Sequence, residues 1–214
     1  MGDRTNGAVS RRGFLGLGTL GAAGLVAGSA FAETPLVLKS AADQPAVRPA
    51  LLARARAALQ AHAHEIPNRD LIAIADFARA SRDPRFHLVD MMNGRTTTLL
   101  VAHGRGSDPD HSGWVRRFSN DVGSAASSEG AYRTGALYVG KHGRSRRLDG
   151  LDETNDNALQ RAVVVHAAWY VGPEMVRDHG KLGRSEGCFA VSESELELVL
   201  GRLGEGRMIY AAKA

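Results

Sequence analysis

The chain of 214 residues carries 27 basic and 23 acidic side chains, for a formal net charge of +4. That excess is too mild, and too free of basic stripes with interleaved aromatics, for a nucleic-acid binder. A single cysteine rules out an internal disulfide, and the length suits one domain with a sizeable core.

The front of the chain reads as an address rather than as structure. Ser10-Arg11-Arg12-Gly13-Phe14-Leu15 lead into an apolar, glycine-rich stretch over 17–28, and Ala30-Phe31-Ala32 form a small-x-small cleavage signal. A charged start, a short apolar centre and a small-residue end are the marks of an export signal, and the paired arginines point to the twin-arginine route. A transmembrane anchor needs about 20 unbroken apolar residues; this stretch is shorter and carries Gly16, Gly18, Gly21 and Gly24. Residues 1–32 are therefore expected to be a signal peptide cut after Ala32. The mature protein is then periplasmic or extracellular, with no stable membrane anchor. Cleavage removes Arg4, Arg11 and Arg12 together with Asp3, lowering the formal charge by two.

Residues 33–69 read as a linker and an N-terminal helix. Pro35, Pro45 and Pro49 mark an irregular arm. Over 50–64, Leu52, Ala55, Leu59 and His62 share one helical face, which predicts a helix packed on the main body. Leu71-Ile72-Ala73-Ile74-Ala75 is a short apolar run bounded by polar residues and predicts a strand. Two further runs, 85–92 and 95–102, flank Asn93-Gly94, a dipeptide that supplies the positive φ angles of a tight hairpin turn.

The stretch 103–131 is rich in Gly, Ser and Asp without periodicity; it is too long for a plain connector, and such loops are often functional. The clusters Arg116-Arg117 and Arg144-Ser145-Arg146-Arg147 read as solvated loops or as sites that meet an anionic substrate. Strands are predicted at 135–140 and 162–171, with a short helix over 155–161 capped by Asn155 or Asp156. Ser192-Glu193-Ser194-Glu195 is a capping box. Leu196, Val199, Leu200 and Leu203 then recur at helical spacing until Gly204 stops the helix, and Met208-Ile209-Tyr210-Ala211 reads as a closing strand. Many short strands, glycine-rich turns and few helices predict a mainly β fold, a sandwich or barrel with a few peripheral helices.

Within this frame the lone cysteine stands out. Cys188 lies in Leu182-Gly183-Arg184-Ser185-Glu186-Gly187-Cys188-Phe189, and His166 closes the apolar run Ala162-Val163-Val164-Val165. A glycine, a hydroxyl and an arginine beside a thiol suit a nucleophile on a tight turn better than a core residue. The thiolate is the reactive form, and a free thiol with a pKa of about 8.5 needs a base or a positive field near neutrality. An imidazole supplies the base.

On these residues the chain resembles the bacterial L,D-transpeptidase catalytic-domain family, in the murein branch whose cysteine motif reads GRSxGC. The matching stretches are Val101-Ala102-His103-Gly104, Tyr138-Val139-Gly140-Lys141-His142-Gly143, Asn155-Asp156-Asn157-Ala158, the run from Arg161 to His166, and Gly183-Arg184-Ser185-Glu186-Gly187-Cys188. Together they define a catalytic domain over 70–214. Three features depart from the family pattern. Glu186 stands where a histidine is commoner, Phe189 stands where proline is common, and the 18 residues between His166 and Ser185 slightly exceed the usual spacing.

The resemblance implies attack on a peptide bond of a peptidoglycan stem, after the L-configured centre of its third residue. Cys188 would be activated by His166, and the thioester would pass to an amine of a neighbouring stem or to water. A carbapenem adduct on the same thiol is also implied. Gly187 and Cys188 offer backbone N–H groups as oxyanion donors, and Ser185 bonds near the thiol or stabilises the turn. Arg184 raises thiolate content, binds a substrate carboxylate bidentately, or holds the loop by a salt bridge. His103 lines the site or is a satisfied polar residue.

Tyr138 and Trp169 are pocket walls or core aromatics. No acid stands at fixed spacing to orient His166, leaving a backbone carbonyl such as that of Ala167. No cofactor or metal is implied. Two other readings remain: a papain-like Cys-His cell-wall peptidase, against which the order His166 then Cys188 counts, and a non-catalytic wall-binding or zinc module using His103, His111 and Cys188.

Overall fold

The structure is a computed structural model that describes residues 47–213. The export-signal reading and most of the linker lie outside the described residues. The first element, α1 (Pro49–Ala61), opens with a proline at its first turn, where a missing N–H is harmless. Its buried stripe is Leu51, Ala55 and Leu59, one residue off the predicted face: Leu52 is only partly buried. The helix also ends three residues early, and His62 turns aside to bond the Asp152 carboxylate at 2.8 Å.

Eight strands follow: β1 (Leu71–Asp76), β2 (Phe86–Asp90), β3 (Thr96–Leu99), β4 (Gly130–Gly140), β5 (Gly143–Gly150), β6 (Val164–Ala167), β7 (Phe189–Val191) and β8 (Met208–Ala212). Two short α-helices, α2 (Pro173–His179) and α3 (Leu196–Arg202), and a 3₁₀ turn over Arg105–Ser107 complete the set among the described residues. The strands form one mixed sheet in the order β3-β2-β1-β8-β4-β5-β6-β7. The chain just beyond β3 then bridges to β7, Ala102 to Ala190, so the two outer strands of the sheet meet. This is the mainly β, barrel-like architecture with peripheral helices that the sequence predicts.

The run at β1 is apolar throughout because both its faces are covered. Leu71, Ala73 and Ala75 enter the main core with Phe86, Leu88, Tyr132, Phe189 and Ile209. Ile72 and Ile74 face the other way, onto Leu51, Ala55 and Leu59 of α1.

Several local expectations change. The β2–β3 turn spans four residues, not two: Asp90 N–H bonds Arg95 O, and the Asp90 carboxylate accepts from Met92 N–H and Asn93 N–H. Only Gly94 of the dipeptide adopts positive φ, +73°. The arginine cluster at 144–147 is no loop but β5, paired to β4 and β6, with Arg146 buried and donating to the carbonyls of Gly135 and Leu200. Residues 155–161 form consecutive turns rather than a helix. The predicted strand 162–171 shortens to β6, and beyond it stands α2, an unexpected helix that opens on Pro173 and stops at Gly180 (φ +69°). At 192–195 the Ser192 hydroxyl bonds the Glu195 carboxylate itself, 2.7 Å, so the reciprocal backbone capping does not form; Glu195 is the N-cap of α3.

Candidate active site

The site grows from the pairing of β6 with β7. These strands run parallel, with Val165 opposite Phe189 and His166 opposite Ala190. Val163, Val165 and Phe189 point into the core. Alternation then sends Val164 and His166 to the opposite face, and there they line a cavity of about 430 Å³ together with Ala162 and Cys188. Register thus gathers on one face two residues that the sequence holds 22 positions apart. Tyr138, Lys141 and His142, from the end of the β4–β5 hairpin, close another side of the cavity, with Arg161, Tyr170, Arg184 and Glu186 around the rest. A larger cleft of about 570 Å³, lined by residues such as Arg133, Arg147, Asp149 and Glu205, contains neither a cysteine nor a histidine.

The cysteine turn is held from inside and behind. Ser185 Oγ donates to the Cys188 carbonyl at 2.7 Å and accepts from Gly187 N–H at 3.2 Å. Behind it, Ser185 N–H bonds His103 O and Arg105 N–H bonds Ser185 O. Gly187 sits at φ +115°, and a Cβ there would stand 2.7 Å from the Ala126 carbonyl oxygen. Only glycine meets both conditions.

The Cys188 thiol is free and half-buried, and it donates to the Ala162 carbonyl at 3.7 Å. Ala162 adopts φ +52°, uncommon for a residue with a Cβ. Burial raises the thiol pKa and the Glu186 carboxylate adds to this, while a backbone bond from Val164 and the cations Lys141 and Arg161 oppose it. His166 is shifted down, first by burial and then by His142 and Lys141, against the raising effect of its bond to Ala167. The resting pair is therefore a neutral thiol and a neutral imidazole. His166 Nδ1 lies 2.8 Å from the Ala167 carbonyl. A carbonyl only accepts, so Nδ1 carries the proton and Nε2 holds the lone pair. The His142 ring stacks on His166, centroids 4.2 Å apart.

The sequence model of the L,D-transpeptidase catalytic domain matches residues 43–212. The chain belongs to that family. Solved structures similar to this L,D-transpeptidase family member include an L,D-transpeptidase from Mycobacterium smegmatis (14% identity, 67% of this chain and 58% of that one, TM-score 0.41). Another is L,D-transpeptidase 3 from Mycobacterium tuberculosis (12% identity, 67% and 61%, TM-score 0.43). A third is residues 123–326 of the L,D-transpeptidase from Xylanimonas cellulosilytica (14% identity, 74% and 69%, TM-score 0.40). The chain thus spans less than two thirds of the two mycobacterial structures. No curated protein matches it.

Of the residues singled out in this family member's sequence, Cys188, His166, Ser185 and Arg184 line one cavity, and Gly187 shapes the turn. The N–H of Gly187 is taken by Ser185 Oγ, so of the two expected oxyanion donors the structure leaves that of Cys188. Arg184 holds the loop not by a salt bridge but through backbone carbonyls, donating from Nη1 to Asp108 O and to Pro109 O.

His103 does not line the site. It is 0% exposed, with Arg85 donating to Nδ1 at 2.8 Å and Nε2 placed 3.3 Å from Asp108. Both ring nitrogens are thereby committed, which also removes it from a zinc set with His111 and Cys188. Among the described residues no group of three or more His, Cys, Asp or Glu is placed to hold a metal ion.

Tyr138 is a cavity wall, whereas Trp169 is 76% exposed. Sequence reasoning passes over Arg161, Lys141 and Tyr170 as site residues and ranks His142, with His179, below His103; those three and His142 line the cavity. Lys141 and His142 sit in a motif stretch whose spatial neighbours the β4–β5 pairing reveals. Arg161 donates to Ser119 O, Ser128 Oγ and Ala126 O, fastening the long loop beside the cysteine turn.

Proposed function

We propose that the chain is a peptidoglycan L,D-transpeptidase, exported to the periplasm or the cell exterior, that acts through a thioester on Cys188. The observation that carries this reading is the shared cavity of the sole thiol and an imidazole whose Nδ1–H is fixed on a backbone carbonyl. An orienting partner that settles the tautomer is what a general base needs, and here Ala167 O takes the place of a carboxylate.

In this reading a stem peptide enters with the carbonyl of its third residue over Cys188. Sγ attacks that carbon as His166 Nε2 takes the thiol proton. The oxyanion meets the Cys188 N–H. The C–N bond to the departing D-alanine breaks, and His166 returns the proton to its amine, leaving a thioester. An amine of a second stem then attacks, its proton passing to His166; a new amide forms and the thiol is restored. With water as acceptor the same intermediate gives carboxypeptidase action. Because thiol and imidazole both rest neutral, proton transfer accompanies attack, and a positioned base is worth about 10²–10⁴-fold in such a step.

The test is incubation with disaccharide-tetrapeptide stems followed by mass spectrometry. An adduct on Cys188, absent in Cys188→Ala, is expected; wild-type protein giving neither adduct nor product overturns the proposal. A carbapenem should acylate the same thiol. For the export step, N-terminal sequencing of the secreted protein should begin at Glu33.

A further inference from the structure

A second cavity of about 390 Å³ lies beside the cysteine cavity, and Arg184 lines both. Its other walls include Arg105, Arg117, Gly123, Ser124 and Ala125. Three guanidinium side chains thus border one space whose lining contains no carboxylate.

The arginines are anchored by one edge each. Arg117 donates through Nε to Gly106 O at 3.0 Å, and among the described residues neither of its terminal nitrogens has a partner. Arg184 is tied through Nη1 to Asp108 O and Pro109 O. Arg105 reaches Glu186 at 3.3 Å, a pair more than half exposed on both sides and therefore weak. An arginine held at one edge keeps its remaining donors in a rigid fork, the arrangement suited to planar oxyanions. Three neighbouring guanidinium groups, of which only Arg105 has an acidic partner among the described residues, also give the cavity an electrostatic reason to attract an anion.

We infer that this cavity is a carboxylate subsite that holds an acidic residue of the stem peptide away from the bond being cut. The inference rests on the proposed stem-peptide function: a peptide seated on Cys188 passes Arg184 to reach Arg117. The loop 103–129 then has a task, since it supplies Arg105, Arg117 and the backbone wall at 123–125.

The test measures binding on the Cys188→Ala protein, by calorimetry, of a tetrapeptide stem with free carboxylates and of the same stem with those carboxylates converted to primary amides. Arg117→Gln is expected to weaken binding of the carboxylate stem about tenfold and to leave binding of the amidated stem unchanged; Arg117→Lys should recover part of the loss. Equal losses for both stems, or none for the carboxylate stem, overturn the subsite. If the Arg117-dependent preference appears while wild-type Cys188 is never acylated, the subsite stands and the thioester proposal fails. If wild type and Arg117→Gln acylate both stems at the same KM, the thioester proposal stands and the subsite fails.

Discussion

His103 and His166 enter the sequence in the same guise, each closing a run of small apolar residues, yet the fold gives them opposite lives. His103 is walled in by Arg85 and Asp108. Arg85 is itself fully buried, donating to Val101 O and Arg79 O and lying over the Phe77 ring at 5.0 Å. Asp108 accepts from Ser112 N–H, Ser112 Oγ and Gly113 N–H as well. Because Arg85 can only donate, His103 Nδ1 accepts and Nε2–H points to Asp108. His166 is the mirror image: Nδ1 donates, and Nε2 is left for the cavity. A histidine with two committed nitrogens is a brace, and one with a single committed nitrogen keeps a lone pair for the base role proposed above.

The largest effect that tests this contrast is on chemistry. His166→Ala should slow acylation of Cys188 by about 10²–10⁴-fold while thermal unfolding stays near wild type. His103→Leu should do the opposite. It strands an arginine donor and a carboxylate inside the protein, at about 2–4 kcal/mol of stability by denaturant titration, with acylation per folded molecule within about threefold. A folded His103→Leu protein that cannot be acylated would break the comparison.

Acid provides the next probe. His103 and His87 are both held down to about pKa 4, chiefly by burial. The folded pKa lies below the ordinary value of 6.5, so the unfolded chain binds the extra protons. Stability is then complete above about pH 6.5 and drains away as the pH falls through 4. His87, with Nδ1 near Thr98 Oγ1 and no partner for Nε2, can be replaced by Leu to flatten that loss; an unchanged slope would remove His87 from the account. Since His166 is also shifted down, acylation should persist below the normal histidine range before failing. The smallest effect concerns Glu186, whose charge raises the Cys188 thiol. In Glu186→Gln the pH profile of iodoacetamide alkylation should move to lower pH; a shift upward would contradict the assigned sign.

The sequence makes legible what repeats with a period or needs a special residue. The double-faced β1, the glycine before the cysteine and the helical stripe of α3 all declare themselves locally. What stays hidden depends on pairing across distance. Arg144 to Arg147 look solvated until β4 and β6 flank them, and β5 has no apolar alternation to announce it. Lys141 and His142 reach the candidate site only because their hairpin crosses over it. The sequence leaves His103 open between lining the site and being a satisfied polar residue, because burial of a histidine depends on whether an arginine lies 18 residues away along the chain and 2.8 Å away in space.

The strand order carries a consequence for how the molecule is made. β8, the last of the eight sheet strands to leave the ribosome, lies between β1, the first of them, and β4, pairing parallel with one and antiparallel with the other. Until Met208–Ala212 emerges, the nascent polypeptide holds two half-sheets, each with an unsatisfied ladder facing the gap. Losing only that final segment, by a late stop codon or by trimming, leaves two sticky edges instead of an enzyme one strand short.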